Sequence, residues 1–286
     1  MSDKNSNTDH SPPPVAWWER GKVIAEGSYG CIVCEARPVP GHCLSLVLPK
    51  LMAVKTCKVK QVIYHERDIL SLFKRHPHII HFYGFDSSIN TEDGKLMHDM
   101  FIEYASGGDM SSRIFTGVGL PEKKVRLYVK GILLGLETIH NLSYAHCDIK
   151  PDNILMVDGV VKIADFGIAV KSPTVISSIR GTQEYMSPEL IADGYYSCSA
   201  DIWALGITVL EMLIGKRAWG NKFRKLNMVS IIGVCNIVPE IPKDEVSYLA
   251  RDFLSRCLVR DYKERWTVDL LLNHPFVSRQ NEEEHI

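Results

Sequence analysis

From Ala200 to Ile214 the chain is apolar on nearly every face of a helix. Ile202, Trp203, Leu205, Ile207, Val209, Leu210, Met212 and Leu213 leave no polar stripe. A helix of this kind has to be enclosed by protein on all sides, so it marks the centre of a sizeable helical unit. It is too short to cross a membrane and it carries Glu211, and since no run of about 18 apolar residues occurs anywhere, membrane insertion is not expected. The sequence around this helix has the same character. Pro121 opens a helix in which Val125, Tyr128, Val129, Ile132, Leu133, Leu136 and Ile139 recur at helical spacing. Further helices are expected over Val246–Leu258 and Thr267–Leu272, the last with Thr267 as N-cap.

The preceding third of the chain reads differently. Lys22–Ala25, Cys31–Ala36 and Leu51–Thr56 are short strand-like runs separated by Gly and Pro. One helix, Val62 to Lys74, interrupts them. Two more apolar runs follow, Ile79–Phe85 and Leu96–Tyr104, joined by a turn at Asn90–Gly94. The expected architecture is α+β and bilobal: a small, mostly β lobe before a larger, mostly α lobe, with a ligand cleft between them.

Thirty-three basic and thirty-four acidic residues give a net charge of −1. No global positive field exists to hold nucleic acid, so none is expected as a partner. The start of the chain is polar and Pro-rich and does not read as a signal peptide. Eight scattered cysteines fit a reducing compartment, cytoplasm or nucleus. Cys31 and Cys34 form a C-x-x-C without the second pair a zinc site requires, and read as small apolar side chains. Trp17-Trp18 is either a docking anchor or packing on the small lobe, with packing favoured.

Four segments carry chemistry. Glu26-Gly27-Ser28-Tyr29-Gly30-Cys31-Ile32 lies between two strands, where its glycines let backbone N–H groups approach a phosphate; a plain hairpin turn has the same composition. Lys55, in Ala53-Val54-Lys55, is either a solvated strand lysine or the partner of Glu66 on the next helix, a pair that would aim an ammonium group at an anion. His146-Cys147-Asp148-Ile149-Lys150-Pro151-Asp152-Asn153 puts a proton acceptor, a cation and a metal-ligating amide in one loop. Asp165-Phe166-Gly167 adds a second hard oxygen ligand, a donor set that suits Mg2+ with bound phosphates.

In this order and spacing the segments resemble the eukaryotic protein kinases, whose signature runs from a Gly-rich loop through V-A-I-K, H-R-D-L-x-x-x-N and D-F-G to A-P-E, here Ser187-Pro188-Glu189. Asp201–Gly206 and Arg265 extend the likeness, with Arg265 expected to pair with Glu189. The resemblance covers about Gly21 to Val277. It implies a kinase domain over 21–277 (small lobe 21–104, hinge 102–106, large lobe 107–277), a flexible segment over 1–20 and an acidic tail over 278–286. It implies ATP and Mg2+ as cofactors. Asp148 would accept or orient the substrate's hydroxyl proton, Lys150 would steady the transferred phosphoryl, and Asn153 and Asp165 would hold Mg2+. Lys55, set by Glu66, would grip the phosphates, and Thr182 would bond Asp148 and Lys150. Around the nucleotide the resemblance places Ala25, Glu26, Gly27, Ser28, Tyr29, Gly30 and Cys31 over the phosphates. Ile24, Ile32, Ala53 and Leu155 would sandwich the adenine, although ordinary core packing would explain them as well. The backbone of Glu103 and Ala105 would bond its edge, behind which stands Ile102, and Asp109 would reach the ribose.

Lys150, two residues after Asp148, is similar to serine/threonine kinases. His146–Pro151, Met186–Glu189 and Glu264–Thr267 look like plant MAP kinase kinase kinases, which implies a protein substrate of the MAP kinase kinase class. Three departures stand out. Cys147 replaces the usual Arg, Ala25 replaces the first loop Gly, and Pro38–Lys50 lengthens a connection into an exposed loop. The first two leave open a pseudokinase, a binding module without phosphoryl transfer.

Overall fold

The computed structural model describes residues 16–27, 30–73, 75–90, 93–220, 228–233, 235 and 237–278. Its first part is an antiparallel five-stranded sheet of β1 (Trp18–Glu26), β2 (Ile32–Pro38), β3 (Met52–Cys57), β4 (Phe82–Ile89) and β5 (Leu96–Glu103), in the order β1-β2-β3-β5-β4. Helix α1 (Lys60–Leu70) lies between β3 and β4 and continues as a tight turn over Ser71–Phe73. It buries Ile63, Glu66, Ile69 and Leu70, so one face of the helix carries both its apolar anchors and a carboxylate.

β1 starts at Trp18 and pairs with Pro38 of β2, ahead of the domain boundary expected at residue 21. The reason is the aromatic pair. Trp17 and Trp18 lie 4.6 and 5.0 Å from the Phe101 ring, over the outer sheet face formed by Cys34, Ala36, Met52 and Val54. The Trp17 indole N–H donates to Asp86 at 2.7 Å. These half-buried rings pack on the small lobe, and Trp17 does so with a satisfied polar tip. Cys31 and Cys34 belong to separate apolar clusters, Cys31 to the main core and Cys34 to this outer face. In the long connection a short turn over Cys43–Leu46 leaves Leu46 and Val47 exposed.

The second part is helical. It comprises α2 (Ser111–Ile114), α3 (Glu122–Asn141), α4 (Pro188–Asp193), α5 (Cys198–Ile214), α6 (Met228–Gly233), α7 (Tyr248–Cys257), α8 (Val268–Leu272) and α9 (Pro275–Ser278). Short strand pairs join its loops: β6 (Tyr144–Ala145) with β9 (Val170–Lys171), β7 (Ile154–Val157) with β8 (Val160–Ile163), and β10 (Thr174–Val175) with β11 (Tyr195–Tyr196). Every residue of α5 from Ala200 to Ile214 is buried, as its apolar surface requires. Pro121 and Thr267 stand at the N-caps of α3 and α8. Beside α5, Arg265 forms a bidentate pair with Glu189, at 2.8 and 3.0 Å.

Candidate active site

A cleft of about 1250 Å3 separates the two parts. On its upper wall β3 presents Ala53 and Lys55. Lys55 Nζ donates to Glu66 Oε2 at 2.6 Å and to Asp165 Oδ1 at 2.8 Å. Burial opposes the charge on Lys55, but the two carboxylates outweigh it and raise its pKa above the usual lysine range. Burial works against the Asp165 carboxylate too, and the Lys55 ammonium more than offsets it, holding its pKa below the ordinary value. The other oxygen of Glu66 accepts the Phe166 N–H at 3.2 Å. α1, β3 and the Asp165-Phe166-Gly167 turn are thereby locked through one buried carboxylate. The turn itself needs Asp165 at φ +62, an uncommon conformation that aspartate tolerates better than most residues. Phe166 is fully buried and meets His146 edge-on at 4.7 Å.

On the lower wall a second network surrounds Asp148. Its Oδ2 accepts from the Asn153 amide at 2.8 Å and pairs with Lys150 at 2.8 Å. Its Oδ1 accepts from the N–H and hydroxyl of Thr182, at 3.1 and 2.9 Å. Lys150 also donates to the Thr182 hydroxyl at 2.6 Å. The Asn153 side-chain nitrogen is thus committed, which leaves its Oδ1 as the ligating atom. The Ala164 N–H donates to the Asn153 carbonyl at 2.9 Å, so Asn153 stands beside the residue preceding Asp165. This pair of hard oxygen donors, next to a cleft lined by Lys55 and Lys150, fits Mg2+ carrying phosphate oxygens.

Asp201 is the residue that shapes the loop. Fully buried, its Oδ2 accepts the His146 N–H at 2.8 Å and its Oδ1 the Cys147 N–H at 2.7 Å. From the sequence Asp201 is expected only as part of a motif, without this task. Its signal was a carboxylate at the start of an otherwise apolar helix, a group that burial obliges to find donors. Cys147 is buried at φ +69, and its thiol donates to the Ala145 carbonyl at 3.4 Å.

Around the nucleotide position the cleft is lined by Ile24, Ala25, Glu26, Gly27, Ala53, Ile102, Glu103, Ala105, Asp109 and Leu155, all expected there. Glu103 donates its N–H to the His81 carbonyl, so its carbonyl is the atom left for an adenine edge. Asp109 Oδ1 accepts from Ser111 and from the Ser112 N–H, capping α2, and both bonds fall on that one oxygen. Two expectations are corrected. Ile32 is exposed, and Val33 lines the cleft instead. Val33 lies opposite Lys55 and Ile32 opposite Thr56, and alternate residues of a strand face opposite sides. Cys31 turns into the core of the small lobe rather than toward the cleft, and burial together with the neighbouring Cys57 pushes its thiol up to about 12. Gly30 adopts φ +69 at the loop's far end. Ser28 and Tyr29 lie outside the described residues, as do most of the two expected terminal segments.

A two-lobed fold, a lysine held between two carboxylates, and an aspartate bonded by Asn, Lys and Thr define a phosphoryl-transfer site of the protein kinase type. Comparison with known proteins agrees. The protein kinase domain model matches residues 18–277. The chain is 39% identical over 283 residues to mitogen-activated protein kinase kinase kinase 20 of Arabidopsis thaliana, covering 94% of this chain and 80% of that protein. It is 34% identical to mitogen-activated protein kinase kinase kinase 2 of the same plant, covering 99% of this chain but 44% of that protein. With human mitogen-activated protein kinase kinase kinase 4 the identity is also 34%, over 93% of this chain and 16% of the human protein. The chain belongs to the protein kinase family, among the ATP-dependent serine/threonine kinases that resemble MAP kinase kinase kinases.

Proposed function

We propose that the chain is an active kinase that transfers the ATP γ-phosphoryl to a Ser or Thr hydroxyl of a MAP kinase kinase. The observation that carries this reading is the complete set of bonds around Asp148, from Lys150, Asn153 and Thr182. In it Asp148 orients the incoming hydroxyl and takes its proton, while Lys150 steadies charge on the phosphoryl being moved. Lys55 holds the phosphates still adjacent to the nucleoside. Asn153 and Asp165 would hold Mg2+, which when bound offsets phosphate charge. Little covalent chemistry is left to the protein, and positioning does the work. The substrate class rests on the names of the relatives. A cytoplasmic or nuclear setting suits the eight free thiols.

The pseudokinase alternative rests on Ala25 and Cys147. Neither change removes a group from the bonded set, which speaks for the enzyme. The test is incubation of the purified chain with labelled ATP, Mg2+ and a panel of MAP kinase kinases whose own nucleotide-binding lysine has been replaced. Label on Ser or Thr of at least one panel member is the expected result. Nucleotide binding without label on any member, or on a generic basic protein, would establish the binding module instead.

A further inference from the structure

The stretch from Asp165 to Glu189 ends at Thr182 against Asp148, and something has to hold the backbone just before it. Tyr196, on β11, is the group that does so. Its ring is fully buried in the lower core. Its hydroxyl accepts the Arg180 N–H at 2.6 Å and lies 3.3 Å from both the Ser178 and Arg180 carbonyls. A phenol has one proton to donate, so it serves one carbonyl at a time while the Arg180 bond persists. Next in the chain, Gly181 takes φ +114, and a Cβ there would come within 3.1 Å of the Cys147 carbonyl. The stretch is therefore pressed against the catalytic loop one residue before Thr182 makes its two bonds to Asp148.

The charges facing this point are few. Lys150 is committed to Asp148 and Thr182. The Arg180 guanidinium bonds the Ser178 hydroxyl of its own stretch at 3.4 Å. Cys147, which precedes Asp148, is a buried thiol, a side chain that has no cationic form. Thr174 pairs with Tyr196 across the β10–β11 ladder, and the Ile176 N–H reaches the Gly194 carbonyl at 3.0 Å. Every tie from this stretch to β11 and the adjoining Gly194 is thus a neutral hydrogen bond to or from backbone.

We propose that Tyr196 is a positioning residue: its hydroxyl fixes the backbone at Ser178–Arg180 so that Thr182 meets Asp148 without a phosphate on the stretch. This rests on the kinase reading above and adds its regulation. Activity is then set before any phosphorylation of Ser172, Thr174, Ser177, Ser178 or Thr182.

The experiment compares the full chain with Tyr196→Phe, which keeps the ring and removes only the hydroxyl. Both proteins are treated with phosphatase, the phosphatase is removed, and initial rates are taken on myelin basic protein and against ATP. Amide exchange is followed in parallel. The variant is expected to lose roughly tenfold in kcat/KM for the protein substrate, because the part-buried Arg180 N–H loses its acceptor and the backbone before Thr182 is freed. Its KM for ATP should hold, and exchange should rise over residues 178–182 but not in α5. The wild type should keep its rate after phosphatase. Unchanged exchange over 178–182 in the variant would overturn the proposal. So would a wild-type loss of roughly a hundredfold on dephosphorylation, the size of a strong coupling. A wild type inactive both before and after treatment would overturn the kinase reading, and the exchange comparison alone would then decide the role of Tyr196.

Discussion

Glu189 and Arg265 stand 76 residues apart and meet through two parallel hydrogen bonds of 2.8 and 3.0 Å, with the Arg265 side chain wholly buried. Arg265 also donates to the carbonyls of Ser199 and Val259 and lies over the Trp203 ring. One side chain thus ties α4, the start of α5 and the loop before α8. Breaking a buried pair from one side leaves an uncompensated charge and costs about 3–5 kcal/mol. Arg265→Met should lower the denaturant midpoint accordingly, and Glu189→Gln in the same chain should recover part of that loss. Equal midpoints for wild type and Arg265→Met would show that the pair contributes nothing.

Lys55→Met removes the cation between Glu66 and Asp165. Turnover should fall by roughly 10²–10³, as for loss of one electrostatic donor in an active site. Glu66 is then buried without a partner, so the variant should also be less stable. Lys55→Met with Glu66→Gln separates the two effects, since stability should return while turnover does not. Recovery of turnover in the double variant would mean that Lys55 acts only on the fold.

Asp165→Asn keeps the shape of the turn and removes one charge from the expected Mg2+ ligands. The Mg2+ concentration at half-maximal rate should rise steeply. An unchanged titration would remove Asp165 from the metal site.

Glu211 is buried at the end of α5. Burial is the main reason its pKa rises to about 7, against the opposing hydroxyl of Tyr185, the N–H of Ala218 and the charge of Arg217. A folded-state pKa above the unfolded one means that the folded chain binds the extra proton. The stabilisation is therefore complete below the unfolded value of 4.5 and is lost as pH rises through about 7. Glu211→Gln removes this titration. Melting curves across this window should show wild-type stability declining toward neutral pH and a flatter profile for the variant. Parallel profiles would place the Glu211 pKa back in the ordinary range.

Much of the site was legible because its chemistry is local in sequence. The loop from His146 to Asn153 and the turn at Asp165 each carry their functional groups within a few residues, and the structure only has to bring the two together. Glu66 was legible from its place among Ile63, Ile69 and Leu70, where a carboxylate on a packed face needs a cation. The fold centre was legible in α5 because an all-apolar helix leaves no alternative to burial. What escaped depended on register or on distant partners. Which face of β2 meets the cleft is set by its register with β3, where Val33 and not Ile32 stands opposite Lys55, and the sequence of β2 alone does not carry that register. Tyr196 and Asp201 act through backbone groups far from them in sequence. A side chain that bonds backbone leaves no partner residue type to recognise.

Asp148→Asn tests the account most directly. The change keeps the size of the side chain and removes the proton acceptor, while Lys55, Asn153 and Asp165 remain to bind nucleotide. The measurement is γ-phosphoryl transfer from ATP to a protein Ser or Thr, with nucleotide affinity determined on the same preparation. The account predicts nucleotide binding close to wild type and turnover reduced by roughly 10²–10⁴. Near-wild-type turnover in a folded, nucleotide-binding Asp148→Asn protein would contradict it.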